Sequence, residues 1–280
     1  MFWFGKCVGV KGKPEGMKKE IFRHKKRERI ISTALTFVII FSSIAVVAYY
    51  SFGYFAGSSS NINQKTEVNL TGSLLRAALI DALYSSYPNL GFTRSVNKTL
   101  QEAGFKVDVY QGEEITVDFL KKLQSGYKLI VFRMHSALST GNELYLFTAE
   151  PYSNEGYVQE QYFRLVKEAY ASEDSQHVFA VNWGFVKRCM AGKFEGAIVI
   201  VMGCEGASDL KLFEEFVNQG AVGCVGWNGP VLLSHSDKAV SYLVDALYLR
   251  KLSLSEAVND TNKVIGNDPL SNSVLRSYVP

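Results

Sequence analysis

From residue 75 to the C-terminus, short apolar runs alternate with amphipathic segments. LRAALIDAL (75–83), YKLIVFR (127–133) and AIVIVM (197–202) are apolar enough for buried strands. FKVDVY (105–110) alternates at period two, and residues 221–225 form another short strand. Between them lie helical stretches. Residues 89–104 finish on a glycine, TVDFLKKL (116–123) has Thr near its start, and SDLKLFEEFVNQ (208–219) is amphipathic and closed by Gly220. Two more helices are expected near 237–250 and 253–264.

Near-continuous apolar strands separated by helices predict a mainly parallel sheet covered on both faces. The fold class is therefore three-layer α/β, with residues 74–280 as the folded domain. The pattern weakens between 136 and 195. There ELYLFT (143–148) and HVFAV (177–181) predict a small β insertion, with helices near 157–170 and 183–191. No repeat of fixed period is present.

Upstream the chain changes character. No charged residue lies between Arg29 and Lys65, and residues 30–50 are apolar apart from Ser and Thr. Roughly 21 such residues suffice to cross the hydrocarbon core, and Tyr49, Tyr50 and Tyr54 stand where interfacial aromatics belong. Residues 30–52 are thus expected to be a transmembrane signal anchor, followed by a Gly/Ser/Asn-rich linker over 53–73. A cleaved signal peptide fits less well, because its charged region would be 29 residues long.

Charge fixes the orientation. Residues 1–29 hold ten Lys/Arg against three Glu, whereas residues 30–280 hold twenty Lys/Arg against twenty-four Asp/Glu. The basic segment places the N-terminus in the cytoplasm and the C-terminal domain outside the cell membrane. The formal net charge of +3 over 280 residues conceals this split. A nucleic-acid binder would carry its basic charge on the folded domain, so nucleic acid is not an expected partner. Four cysteines exclude a disulfide-dense scaffold, and no phosphate-binding Gly-rich loop or zinc spacing is present, so neither cofactor nor metal is expected. The sequons at Asn69, Asn97 and Asn259 agree with an outside location but are common by chance.

Functional groups of open parallel sheets collect past the carboxyl ends of the strands. His135 follows YKLIVFRM and Cys204 follows AIVIVMG. If those strands are neighbours, both side chains reach one crevice, with Gly203 and Gly206 flanking the thiol and the helix at 208–219 just beyond. Helix N-terminal N–H groups lower a thiol pKa and stabilise an oxyanion. A Cys/His pair so placed suits acyl transfer. The bland alternative for each is a buried small hydrophobe and a core histidine. Cys189 and Cys224 fall inside an expected helix and strand and are read as structural, as is His177.

A His after one parallel strand and a Cys after the next resembles the caspase-like cysteine peptidases: caspases, metacaspases, legumain, clostripain, gingipain and separase. GAVGCVGWNGPVLLSHSDKAV (220–240) is similar to the strand–Trp–loop–helix element of separase and gingipain-like domains. Together with the anchor, the chain looks like membrane-anchored archaeal-type caspase-like proteins. The resemblance covers roughly residues 75–265. It implies a thiol protease, a hydrolase acting on protein or peptide, with His135 as general acid/base and Cys204 as nucleophile. The backbone N–H groups of Ser136 and Cys204 would form the oxyanion hole. Asp237, and next Glu205 and Asp209, would receive a Lys or Arg side chain of the substrate, and Trp227 would wall that pocket. Asp237 could equally cap the helix that follows it. The family usually has Gly after the His, where this chain has Ser136, and commonly Ala before the Cys, where it has Gly203. The β insertion would account for the long His–Cys separation. Two other readings stay open: an inactive caspase-like domain that binds a partner at the cell surface, and an amidase or acyltransferase pairing Cys204 with His235.

Overall fold

The structure, a computed structural model, describes residues 75–280 apart from Ala191. The span expected at 30–52 and its flanking segments lie outside the described residues. Among the described residues, no helix is long and apolar enough to cross a membrane.

The main sheet is built from β1 (Leu75–Asp81), β2 (Phe105–Gln111), β3 (Leu129–Arg133), β8 (Ile198–Val201), β9 (Gly223–Trp227) and β10 (Leu275–Tyr278), in the spatial order β2-β1-β3-β8-β9-β10. All neighbours pair in parallel except β9 and β10. The chain is therefore α/β with a mixed, mostly parallel sheet. Alternate residues feed two cores. Leu129, Val131, Ile200, Val225 and Trp227 pack against α1 (Leu90–Glu102), α6 (Leu233–Tyr248) and α7 (Leu254–Ile265). Ile130, Phe132, Val199, Val201 and Cys224 face α2 (Val117–Lys122), α4 (Trp183–Cys189) and α5 (Leu210–Asn218). Burial on both faces is why β8, and β3 as far as Phe132, are apolar at every position.

Local chemistry sets the helix ends. Asn89, Thr116, Asn182, Asp209 and Ser253 each cap a helix by accepting a first-turn N–H, and Ser253 with Glu256 completes a capping box. Helix α6 starts at Leu233, so Asp237 lies inside it and does not cap it.

The insertion is a second, antiparallel sheet of β4 (Ser136–Leu138), β5 (Leu144–Pro151), β7 (Val178–Val181) and β6 (Val166–Ala169), in that order. The helix expected over 157–170 is only α3, Val158–Tyr162. Val158, Tyr162 and Phe163 look like a buried helical stripe in sequence but are exposed here. The helix ends at Tyr162, and Arg164 just beyond it, with a left-handed φ of 56°, turns the chain away. Residues 166–169 then gain more from pairing with β7. β4 and β10 were not expected; three or four residues carry too little periodicity to be read.

Candidate active site

The β3–β8 register pairs Phe132 with Val201, so His135 and Cys204 stand level, three residues beyond that pair on adjacent parallel strands. The loops they occupy touch. Ser136 Oγ donates to the Cys204 carbonyl. Gly203 makes the contact sterically possible, because a Cβ there would lie 2.5 Å from Met134 O and 2.9 Å from Ser136 N, and closer still to Ser136 Oγ.

The backbone around this contact leaves two donors free. Phe147 N–H donates to His135 C=O at 2.9 Å, so Ser136 and Leu146 form a non-hydrogen-bonded pair and the Ser136 N–H points away from β5. The Cys204 N–H has no protein acceptor among the described residues. The Cys204 loop is pinned from the other side. Glu205 N–H donates to Gly229 O at 3.0 Å and Ala207 N–H to Trp227 O at 2.8 Å. Gly226 permits this approach, since a Cβ there would sit 2.7 Å from Gly206 C.

Cys204 is half-buried. Its thiol accepts the Val231 N–H at 3.4 Å and donates to Val231 O at 3.7 Å. That segment is held by Asp268, which accepts the N–H groups of Leu232, Leu270 and Ser271. Burial raises the Asp268 carboxyl, but these donors outweigh it and keep its pKa below the usual carboxylate value. Asp209 caps the N-terminus of α5 through Lys211 N–H and also accepts Leu144 N–H. Among the described residues no N–H of this helix end hydrogen-bonds the Cys204 thiol, whose partners are the Val231 backbone groups.

His135 leans the other way, towards β1. Its ring meets Tyr87 edge-on at 5.9 Å and Phe147 at 6.2 Å, and it lines a cavity of about 180 Å³ that Glu113 also borders. Burial, and then the nearby Arg133 charge, lower its pKa from the usual 6.5 and favour the neutral imidazole. No hydrogen bond joins His135 to Cys204 among the described residues. Their loops touch while their side chains flank the contact on opposite sides.

Asp237 and Trp227, expected to bind a substrate side chain, are both buried. Asp237 is 4% exposed, and both its oxygens bind Arg133, from Nε at 2.8 Å and Nη2 at 3.0 Å, with Asn89 donating as well. It presents no carboxylate to a ligand. Trp227 is 0% exposed, donates Nε1–H to Ser236 Oγ and packs in the core. Glu205 stays half-buried at the loop and accepts from Ser208. His235 Nε2 lies 3.2 Å from Gly266 O, and its ring sits against Trp227 rather than hydrogen-bonding Cys204. Cys189 and Cys224 are free thiols, both pushed up in pKa by burial. His177 pairs with Glu168 on the insertion surface.

Two contributors went unread in the sequence, Arg133 and Asp81. Arg133, 1% exposed, also binds Asp81 through Nη1 at 2.8 Å and Tyr87 O through Nη2, so an Asp81–Arg133–Asp237 cluster lies directly beneath the His135 loop. Asp81 Oδ2 has no partner. Burial pushes the Asp81 carboxyl up despite the pull of Arg133. The only signal for these two was a charge as the last residue of each strand, Asp81 in β1 and Arg133 in β3. Among the described residues no group of three or more His, Cys, Asp or Glu side chains is disposed to hold a metal ion. No family model matches the chain, and no curated protein matches it.

Proposed function

We propose that the chain is a membrane-anchored cysteine endopeptidase of caspase-like type, its catalytic domain outside the cell and anchored by residues 30–52. The observation that carries this reading is the joined pair of loops at the carboxyl edge of β3 and β8. They bring His135 and Cys204 level and leave the Ser136 and Cys204 N–H groups free beside them. The reaction follows from those groups. The Cys204 thiol loses its proton to the neutral His135 imidazole as sulfur attacks the peptide carbonyl carbon. The oxyanion is held by the two N–H groups. His135 then protonates the leaving amine, and water cleaves the thioester with the same imidazole as base. Substrate must enter between the two side chains, which stand apart without it. Selectivity for Lys or Arg loses its support with Asp237 and forms no part of the proposal.

One observation favours a second reading. His135 and Cys204 make no mutual hydrogen bond and turn to opposite sides of the loop contact, as suits a domain that binds a peptide without cutting it.

A membrane-impermeant peptide electrophile applied to intact cells expressing the full chain decides between them. Labelling should be lost in Cys204→Ala, fall at least a hundredfold in rate in His135→Ala, and be unchanged in His235→Ala. Labelling that survives in Cys204→Ala sinks the peptidase reading. Loss in His235→Ala with retention in His135→Ala transfers the thiol to an amidase or acyltransferase mechanism. If label enters only after permeabilisation, the orientation is wrong while the chemistry stands.

The pH profile is a separate check. Because burial and Arg133 lower the His135 pKa, the base form persists below the usual imidazole range. The acidic limb of kcat/KM should therefore fall below pH 6.5. A limb centred above 6.5, measured with a peptide substrate blocked at both ends, contradicts a neutral His135 in the free enzyme.

A further inference from the structure

A larger cavity, of about 510 Å³, lies away from the dyad, between the turn joining β4 to β5, the corner joining α3 to β6, and α4. Arg164, Lys167, Lys187 and Arg188 line it, and none of the four has an ion-pair partner among the described residues. Elsewhere the fold pairs its well-placed cations: Arg76 with Asp108, Lys121 with Glu160, Arg133 with two aspartates, Arg250 with Asp245 and Asp260.

Two of the cavity cations are held by neutral aromatic faces instead. Lys167 Nζ stands 4.9 Å from the Tyr145 ring centroid and the Arg188 guanidinium 5.3 Å from that of Phe163. A cation positioned by an aromatic face is ordered without being neutralised. The one carboxylate on the lining, Glu143, accepts from Trp183 Nε1 and Tyr145 Oη, so it is committed to neutral donors. Four positive charges face one negative charge in a single concavity, on a chain whose residues 30–280 carry more Asp/Glu than Lys/Arg.

We propose that this cavity binds a small polyanion, a ligand bearing phosphate or clustered carboxylate groups. Its volume falls in the range of small-molecule sites. The cations form a cluster rather than a stripe, and the acidic balance of the domain repels an extended polyanion, so nucleic acid is the wrong shape of ligand. Arg164 and Arg188 supply forked donors suited to planar carboxylate or to phosphate oxygens, and the two lysines supply point charges.

Calorimetric titration of the purified full-length chain in detergent, at low salt, tests the site. Inorganic pyrophosphate and citrate serve as the two probes, and the tighter binder identifies the source of the anionic groups. Saturable one-to-one binding is expected, weakened about tenfold by Arg188→Ala and again by Lys187→Ala, and retained in Lys187→Arg. Glu143→Gln should tighten binding, an effect that mere loss of structure cannot produce. Lys98→Ala, on the far surface of α1, should change nothing. Heats that do not saturate with either probe overturn the proposal. So does equal weakening by Lys98→Ala and Arg188→Ala, or loss of binding in Lys187→Arg.

Discussion

Arg133→Met should lower the melting temperature by roughly 10 °C at neutral pH, the largest stability effect expected of any single substitution in this domain. Arg133 is 1% exposed and, among the described residues, is the only cation on Asp81 and Asp237, which are 0% and 4% exposed. Removing it leaves two buried carboxylates facing each other, and breaking a buried pair in this way costs about 3–5 kcal/mol. In a domain of this size each kcal/mol shifts the melting point by roughly 2–4 °C.

The pH dependence carries the diagnostic sign. Burial places the folded-state pKa of Asp81 above its usual 3.8, so folding takes up a proton there, and this contribution favours the folded state increasingly as pH falls through the folded pKa. Without Arg133 that pKa rises further, and the deficit of Arg133→Met should shrink as pH drops from 7 towards about 4. Asp81→Asn/Arg133→Met/Asp237→Asn, with no charge left to bury, should recover most of the loss. Thermal melts across that range check all three statements. A constant deficit would mean that Arg133 acts by volume rather than by charge.

This cluster also shows where sequence reading stops. The strands of the main sheet were legible because both faces are buried: Leu-Ile-Val-Phe in β3 and Ile-Val-Ile-Val in β8 admit no other environment. Their adjacency was an assumption that the register bears out, and it makes His135 and Cys204 neighbours along the sheet edge. Asp237 was misread because its partner is 104 residues away in the chain, and no local pattern records a pairing at that distance. Read locally, an acidic residue near a helix start is a cap or a ligand. Trp227 was ambiguous for a related reason. An aromatic at a strand end serves a pocket or a core equally well, and the helix α6 packed over it decides for the core. The helix expected over 157–170 shrinks to Val158–Tyr162, where Tyr162 remains 81% exposed and no core rewards a longer helix.

The second large effect belongs to Gly203, the residue that lets the His135 and Cys204 loops meet. Gly203→Ala should reduce kcat for a peptide substrate by about 10²–10³, with KM little changed. The new methyl would press on Ser136 Oγ, which can rotate, but also on Met134 O at 2.5 Å and Ser136 N at 2.9 Å, which cannot. The loops must part, and the Ser136 N–H moves out of reach of an oxyanion formed at Cys204. The stability loss should be modest, about 1–3 kcal/mol, because the clash lies at the sheet edge rather than in either core. Electrophile labelling of Cys204 by a reagent that forms no oxyanion should survive, which separates a lost donor from a lost fold.

Ser136→Gly alone keeps the backbone N–H and removes the hydroxyl bond to Cys204 O, so it should cost far less activity than Gly203→Ala. The pair Ser136→Gly/Gly203→Ala exchanges the volumes of the two residues and reproduces the Gly and Ala that caspase-like peptidases carry at these places. It should recover little activity, since it relieves only the contact with Ser136 Oγ, which rotation could already relieve, while the contacts with Met134 O and Ser136 N remain. A Gly203→Ala enzyme with unchanged kcat would show that the oxyanion is held elsewhere. Recovery in the double variant would show instead that Ser136 and Gly203 are one packing unit, in which the serine at the expected glycine position is compensated across the contact between the two loops.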